Sequence, residues 1–162
     1  MKDTSIIDGI KRKARGGRNV CKKSNTRNDF QLFGRSKNIA VVGLSNKPER
    51  TSYMVAQVLQ DNGYKIIPVN PLLAGEEILG EKVYANLTEI DDPIDIVDVF
   101  RRSEFLPEIA GDFLKTDAKV FWAQLGIENK EAAEMLRKAG RTDIVMDRCI
   151  KIELGKLKEN QK

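Results

Sequence analysis

Residues 43–53 hold the strongest candidate for binding chemistry in this sequence. The stretch reads GLSNKPERTSY and carries Lys47 and Arg50 just before a helical pattern begins. Gly43 lets the backbone approach a ligand closely, and the N-terminus of a helix presents free N–H groups at the positive end of its dipole. Two cations beside such a terminus suit a pyrophosphate better than a single phosphate. The stretch therefore indicates phosphate binding, although an ordinary loop with solvated charges is equally compatible with it.

Two common nucleotide signatures are missing from this loop. It fits neither G-x-G-x-x-G nor G-x-x-x-x-G-K-[ST]. Thr51 or Ser52 is expected to cap the helix that follows.

The second predicted strand ends at Asn70 and Pro71, where an NAD-binding domain usually carries an acid for the ribose. The asparagine argues against NAD, and Pro71 is as consistent with a wall for an adenine ring as with a simple turn.

Adjacent arginines follow the third predicted strand. Arg101 and Arg102 come directly after Phe100, and guanidinium groups bind phosphate oxygens through charge-assisted hydrogen bonds. The end of a strand is where open α/β sheets bind their ligands, so the position favours phosphate binding over a pair of solvated surface arginines. Asp98 and Asp147 are expected to orient these arginines by ion pairing.

The remaining strand ends offer less specific chemistry. Trp122 is predicted to lie in the core, and Gln124 to serve a ligand amide or to tie loops together. Cys149 is predicted to be a buried apolar residue and not a nucleophile, because no base stands near it in the sequence. The chain has no histidine, which excludes Ser-His-Asp and Cys-His catalysis and imidazole metal ligands. The sequence predicts neither a catalytic residue nor a metal site.

The elements that must position these residues alternate between short apolar runs and amphipathic helices. The predicted strands are Asn38–Gly43, Tyr64–Val69, Lys82–Tyr84, Ile94–Phe100, Ala118–Leu125 and Asp143–Met146, and the predicted helices are Tyr53–Asn62, a turn at Leu87–Ile90, Glu104–Lys115 and Lys130–Ala139. This alternation predicts an α/β fold, a Rossmann-like open and mainly parallel sheet of about five strands with helices on both faces. Parallel strands bring their carboxyl ends to one edge, so the loops considered above are expected to meet there.

Charge and composition divide the chain into a basic head and a mildly acidic body. Residues 1–37 hold 11 Lys/Arg against 3 Asp/Glu, and residues 38–162 hold 17 against 21. We expect residues 1–29 to be a basic, flexible extension, residues 30–154 the folded domain and residues 155–162 a polar tail. The head carries no RNA-module motif, so at most weak attraction to nucleic acid through residues 1–37 is predicted.

Cysteine usage and hydropathy indicate the compartment. No apolar run approaches the roughly 20 residues that span a bilayer, and the N-terminus lacks the apolar stretch of a secretory signal. The two cysteines, Cys21 and Cys149, cannot build a disulfide framework. A cytoplasmic location without membrane contact is expected.

Six segments of the chain, in order, resemble one family. The segments are NIAVVGLSNKPERTSY, IIPVNP, ILGEKVY, DIVDVFRRSEFLPEIA, AKVFWAQLGI and MDRCIKIE. Together they resemble, over about residues 37–154, the CoA-binding-domain family of small stand-alone bacterial proteins, which is similar in fold to the CoA-binding domain of the succinyl-CoA synthetase α-subunit.

The resemblance implies that the ligand is coenzyme A or an acyl-CoA. It implies a cofactor site made of Gly43, Leu44, Ser45, Lys47, Arg50, Thr51, Ser52, Tyr53, Asn70, Pro71, Phe100, Arg101 and Arg102, to which the strand-end position adds Gln124. Relatives often carry a lysine shortly after the Asn-Pro pair that could meet the 3′-phosphate. Leu72 and Leu73 stand here instead, with Arg101 or Arg102 as candidate substitutes.

The expected function is a nucleotide-binding module without catalysis of its own. The chain lacks the phosphohistidine that succinyl-CoA synthetase uses. A role as a carrier, a sensor or a partner of another protein is consistent with this. The alternative is a small nicotinamide-dependent or acyl-transfer enzyme on the same fold, with Cys149 or Tyr53 as its reactive group.

Overall fold

The structure, a computed structural model, describes residues 36–160, with side chains as far as Lys156. The prediction for residues 1–29, and the part of the predicted domain before residue 36, lie outside the described residues. In chain order the elements are β1 (Asn38–Val42), α1 (Thr51–Asp61), β2 (Lys65–Val69), β3 (Glu77–Ile78), β4 (Glu81–Lys82), β5 (Ile96–Val99), α2 (Leu106–Leu114), β6 (Val120–Ala123), α3 (Lys130–Lys138), β7 (Ile144–Val145) and α4 (Ile150–Asn160).

Five of the strands form one parallel sheet in the order β2-β1-β5-β6-β7. Their residues are almost all buried, as expected for a parallel sheet that helices cover on both faces. The direction of strand addition reverses between β1 and β5, which makes this position the switch point of the sheet. The predicted Rossmann-like α/β fold is confirmed.

Each face of the sheet has its own apolar cluster. On one face α1 and α4 contribute Val55, Ala56, Leu59, Ile150 and Leu154, which cluster with Ile39 and Trp122. On the other face α2 and α3 contribute Leu106, Ile109, Phe113, Ala133 and Leu136, which cluster with Val97 and Phe121. The rings of Phe113 and Phe121 meet edge to face with centroids 5.4 Å apart, a favoured aromatic geometry. Within residues 36–160, no helix combines the length and the apolarity needed to cross a bilayer.

A small hairpin, β3 and β4, lies beyond the edge strand β2. The strand predicted at Lys82–Tyr84 is displaced: β4 ends at Lys82, and Tyr84 forms an isolated parallel bridge with Val69. Leu79 and Gly80 have φ angles of 55° and 79°, the left-handed pair that a tight hairpin turn requires. The helical turn predicted at Leu87–Ile90 is a 3-10 helix over Leu87–Glu89.

The C-terminal segment departs from the prediction. A polar tail was predicted from Gly155, but α4 continues through that glycine to Asn160. Ile150 and Leu154 stand one helical turn apart and are both buried against the α1 face of the sheet. Two anchors at this spacing give the helix an apolar stripe, and packing against the sheet outweighs the unfavourable helix propensity of one glycine.

Candidate functional site

The loop after β1 begins with a glycine that no other residue can replace without strain. Gly43 has φ +88°, and a Cβ atom there would lie 3.1 Å from the Phe100 carbonyl oxygen and 3.1 Å from the Arg101 Cδ atom. The Gly43 N–H donates a hydrogen bond to the Val69 carbonyl oxygen at 2.8 Å. The backbone after β1 therefore packs directly between the ends of β2 and β5, the two neighbouring strands.

Side-chain hydrogen bonds hold the rest of this loop in place. The Ser45 N–H donates to Ser52 Oγ at 3.1 Å, and the Lys47 N–H donates to Ser45 Oγ at 3.1 Å. The Arg50 N–H closes a turn on the Lys47 carbonyl oxygen at 3.0 Å. The backbone from residue 45 to residue 50 is thus fixed before any ligand arrives, which reduces the ordering cost of binding.

The helix after the loop starts without a side-chain cap. Its N-cap is Arg50, which makes no capping hydrogen bond, and its first turn holds no acidic residue. The prediction that Thr51 or Ser52 caps the helix is wrong. Both lie inside the helix. Ser52 is 7% exposed, and its hydroxyl accepts the Ser45 N–H instead. The first N–H groups of α1 carry the positive end of the helix dipole and can receive an anion.

Asn70 connects two loops at the end of β2. Its Oδ1 atom accepts the Leu72 N–H at 2.9 Å and so caps the 3-10 turn of Pro71–Leu73. Its Nδ2 group donates to the Leu44 carbonyl oxygen at 3.0 Å. The turn after β2 and the loop after β1 are therefore joined through one side chain.

The arginines after β5 pack against an aromatic ring. The guanidinium carbon of Arg101 lies 4.4 Å from the centre of the Phe105 ring, and that of Arg102 lies 5.8 Å from it. Both distances are in the range of cation–π contacts. The Phe100 N–H donates to the Val42 carbonyl oxygen at 2.8 Å, which extends the β1–β5 pairing to the edge of the sheet.

A cavity of about 510 Å³ opens where these segments meet, a size within the range of small-ligand sites. Seven of the sequence-predicted residues line it, namely Gly43, Ser45, Arg50, Thr51, Ser52, Asn70 and Phe100. Three lining residues were not predicted, namely Glu49, Leu72 and Leu73. Each lies within two positions of Arg50 or Pro71, and that proximity was the sequence signal that could have found them.

Seven predicted residues do not line the cavity. They are Leu44, Lys47, Tyr53, Pro71, Arg101, Arg102 and Gln124. The Leu44 side chain is fully buried in the core on the α1 face. Gln124 is buried, and its Oε1 atom accepts the Ile150 N–H at 3.0 Å. The structure thus matches the second role suggested for Gln124, a tie between the end of β6 and the start of α4.

Three other residues singled out in the sequence occupy the sheet and its edge. Trp122 is fully buried, as predicted, and its Nε1–H donates to the Arg148 carbonyl oxygen at 2.8 Å. Cys149 is partly buried and packs against the core. Asp147 accepts the Gly126 N–H at 2.7 Å through its carboxylate.

Asp98 contradicts its predicted role. The side chain is fully buried in β5, and neither carboxylate oxygen has a hydrogen-bond partner among the described residues. It therefore forms no ion pair with Arg101 or Arg102. Asp98 lies within β5, where the core encloses its side chain, whereas the two arginines lie beyond the end of the strand. Burial raises the pKa of the Asp98 carboxyl well above its usual range.

Several small proteins match this chain along most of their own length. The uncharacterized protein YneT of Bacillus subtilis is 59% identical over 122 residues, which cover 75% of this chain and 88% of YneT. The structure of cell-free ID.343 from Thermus thermophilus is 34% identical, with a TM-score of 0.79 over 83% of this chain and 99% of that chain. A hypothetical protein from Pyrococcus horikoshii is also 34% identical, with a TM-score of 0.78 over 97% and 99% of the two chains.

A larger protein contains a similar segment. The alpha subunit of ADP-forming acetate–CoA ligase I from Pyrococcus furiosus is 33% identical over 116 residues, which are 65% of this chain but 25% of that subunit. The match therefore spans about a quarter of the ligase subunit. Residues 37–155 of the present chain match the family described as CoA binding domain. The chain belongs to this CoA-binding domain family.

Proposed function

We propose that the chain binds coenzyme A or an acyl-CoA in the cavity at the carboxyl ends of β1, β2 and β5. The observation that carries this proposal is the arrangement of the first turn of α1. Its uncapped N–H groups and the Arg50 side chain border a cavity that lies at the switch point of the sheet. Backbone donors and a guanidinium group are the partners that a diphosphate requires.

The chemistry after β2 supports CoA over NAD. Asn70 occupies the position at which a dinucleotide-binding domain usually presents a carboxylate to the ribose. Its amide is already engaged with Leu72 and Leu44. A ligand that needs a carboxylate at this position would therefore find no negative charge on Asn70, whose side chain already joins the two loops.

We infer that the chain acts as a binding module, a carrier or a sensor, and catalyses no reaction itself. The 162-residue sequence lacks histidine, and the ADP-forming ligase subunit is about four times as long as the segment it shares with this chain. A protein partner that uses the bound CoA is part of this proposal. The cysteine content favours the cytoplasm as the place of action.

Ligand-dependent melting of the full chain tests the proposal. CoA at one hundred times its Kd should stabilise the folded state by about 2.7 kcal/mol, whereas NAD at the same concentration should leave the melting temperature unchanged. Calorimetric titration with CoA, dephospho-CoA, NAD and ATP then ranks the ligands directly. Equal stabilisation by NAD would contradict the assignment and favour the nicotinamide-dependent alternative.

A further inference from the structure

The buried carboxyl group of Asp98 points to the face of the sheet that α1 and α4 cover. Asp98 pairs with Val41 of β1 and with Trp122 of β6, and both of these residues belong to the apolar cluster on that face. The neighbours of Asp98 along β5, Val97 and Val99, belong to the cluster on the other face. Because successive residues of a strand point to opposite faces, the carboxyl group lies beneath the layer that α1 and α4 form.

The titratable groups on this face give Asp98 no hydrogen-bond partner in the part of the chain that the structure describes. The buried residues of α1 carry no acid or base, namely Ser52, Val55, Ala56 and Leu59. The buried carboxylate of α4, Glu153, binds Arg148 Nη1 at 3.1 Å and Lys156 Nζ at 3.5 Å. Three partly buried side chains that pack against the same cluster are uncharged near neutral pH, namely Tyr53, Tyr64 and Cys149. An ionised Asp98 is therefore a buried charge without a counterion, which is strongly unfavourable.

Of the two helices on this face, α4 can separate from the sheet with the smaller rearrangement. Helix α1 connects β1 to β2, whereas no strand follows α4 within the described residues. As far as residue 156, the buried apolar residues of α4 are Ile150 and Leu154. Movement of α4 away from the sheet breaks no strand pairing, and it opens a path for water to the Asp98 carboxyl group.

We propose that ionisation of Asp98 releases α4 from the sheet, so that this helix is a pH-sensitive cover of the apolar face. With α4 in place, burial favours the neutral carboxyl group, whereas water solvates the carboxylate once the helix has moved away. The open state therefore binds fewer protons, and its population rises with pH. The rise extends from the ordinary pKa of an aspartate, about 4, to the raised pKa of the buried Asp98. Over this range the equilibrium constant for opening should increase about tenfold per pH unit.

Hydrogen exchange of the full chain without added ligand tests this inference. Exchange is followed from about pH 5 to about pH 8 and corrected for the intrinsic pH dependence of amide exchange, so that it reports the opening constant. The amides of α4 should open more often than those of α2 and α3, and their opening constant should rise with pH as stated above. Asp98→Asn removes the ionisable group and should abolish this rise.

Trp122 provides a second readout, because it is the only tryptophan of the chain and lies beside Asp98 in the neighbouring strand. As the pH rises, its emission should shift to longer wavelength and acrylamide should quench it more strongly in the wild type. Neither change should occur in Asp98→Asn.

Glu153→Gln is the matched control. It removes the other buried carboxylate of this region together with its ion pair to Arg148, so α4 should open more often at every pH. The dependence on pH should remain, because Asp98 is still present. Asp98→Leu, which suits the apolar surroundings, replaces Asp98→Asn if the amide variant does not fold.

Three results would overturn the inference. They are α4 amides that exchange no faster than those of α2 and α3 at any pH, an opening constant of wild-type α4 that does not change with pH, and a pH dependence that persists when Asp98 is replaced. None of these measurements involves CoA, so each of them leaves the proposed function intact.

Discussion

The Asn70 side-chain amide lies 3.0 Å from the Leu44 carbonyl oxygen and donates a hydrogen bond to it across 26 positions of sequence. Because Asn70 also caps the turn of Pro71–Leu73, one side chain fixes the spacing between the loop after β1 and the turn after β2. We expect Asn70→Ala to lower the free energy of unfolding by about 1–3 kcal/mol, the range for two lost hydrogen bonds. It should also weaken CoA binding, which calorimetry would measure.

Asn86 provides the control for that substitution. Its Oδ1 atom accepts the Thr88 N–H at 2.9 Å and caps a second 3-10 turn, Leu87–Glu89, away from the cavity. Asn86→Ala should therefore remove a similar cap and leave CoA affinity unchanged. An equal loss of affinity in both variants would show that the effect of Asn70 is general destabilisation.

Gly43→Ala should damage both folding and binding. The left-handed backbone costs a residue with a Cβ atom about 1–2 kcal/mol, and the new methyl group would press on the Phe100 carbonyl oxygen. Gly63→Ala is the comparison, since Gly63 has φ +95° but no atom within 4 Å of the added Cβ. Chemical denaturation of both variants should show the larger loss at Gly43, and only Gly43→Ala should reduce CoA affinity. Similar losses of stability in the two variants would mean that the close approach of Gly43 to the Phe100 carbonyl oxygen does not add to the cost of the substitution.

Removing the arginines one at a time tests how the diphosphate is bound. Arg50 lines the cavity, and a charge-assisted hydrogen bond contributes roughly 1.5–3 kcal/mol. Arg50→Ala should therefore weaken CoA and dephospho-CoA alike, about tenfold or more. Arg101→Ala or Arg102→Ala should also weaken CoA about tenfold, with loss of the preference for CoA over dephospho-CoA if that arginine meets the 3′-phosphate. Wild-type affinity for CoA in both Arg101→Ala and Arg102→Ala would show that these arginines stack on Phe105 and do not bind the ligand.

Asp98 should make the protein less stable as the pH rises. A carboxyl group whose pKa is raised on folding holds its proton more tightly in the native state than in the unfolded chain. Stability therefore falls as the pH rises from about 4, where an unfolded aspartate ionises, towards the raised pKa of the folded state. Asp98→Asn should raise the melting temperature at pH 7–8 and change it less at pH 4. Asp117→Asn, at an exposed aspartate, should show no such dependence, and a melting temperature of Asp98→Asn that is lower at every pH would contradict this account.

The sheet could be predicted from the sequence because each strand is a short apolar run between turn residues. The strands themselves proved shorter than their apolar runs: β5 covers Ile96–Val99, whereas the run extends over Ile94–Phe100. Helix α4 escaped prediction because, as far as Lys156, Ile150 and Leu154 are its only buried apolar residues within a stretch rich in lysine and glutamate. Two apolar residues at this spacing identify a buried helix only when the sheet that they pack against is known.

The candidate site was predictable in outline and not in its contacts. Strand ends identify the loops that meet, so Gly43, Arg50 and Asn70 could be selected from sequence. The direction of each side chain depends on partners distant in sequence or hidden by the fold. Gln124 turns away to the amide of Ile150, and Asp98 turns into the core, although both appeared available at the edge.

The three segments that border the cavity are separated in sequence by some 20 to 30 residues each, and they adjoin only through the pairing of β1 with β2 and of β1 with β5. Neither segment 43–53 nor the turn after β2 can form this cavity alone. A partly unfolded chain that has released either neighbour of β1 thus loses its ligand as well. Bound CoA should therefore slow hydrogen exchange throughout β1, β2 and β5, including amides it never touches, because opening any of these strands requires the ligand to leave first.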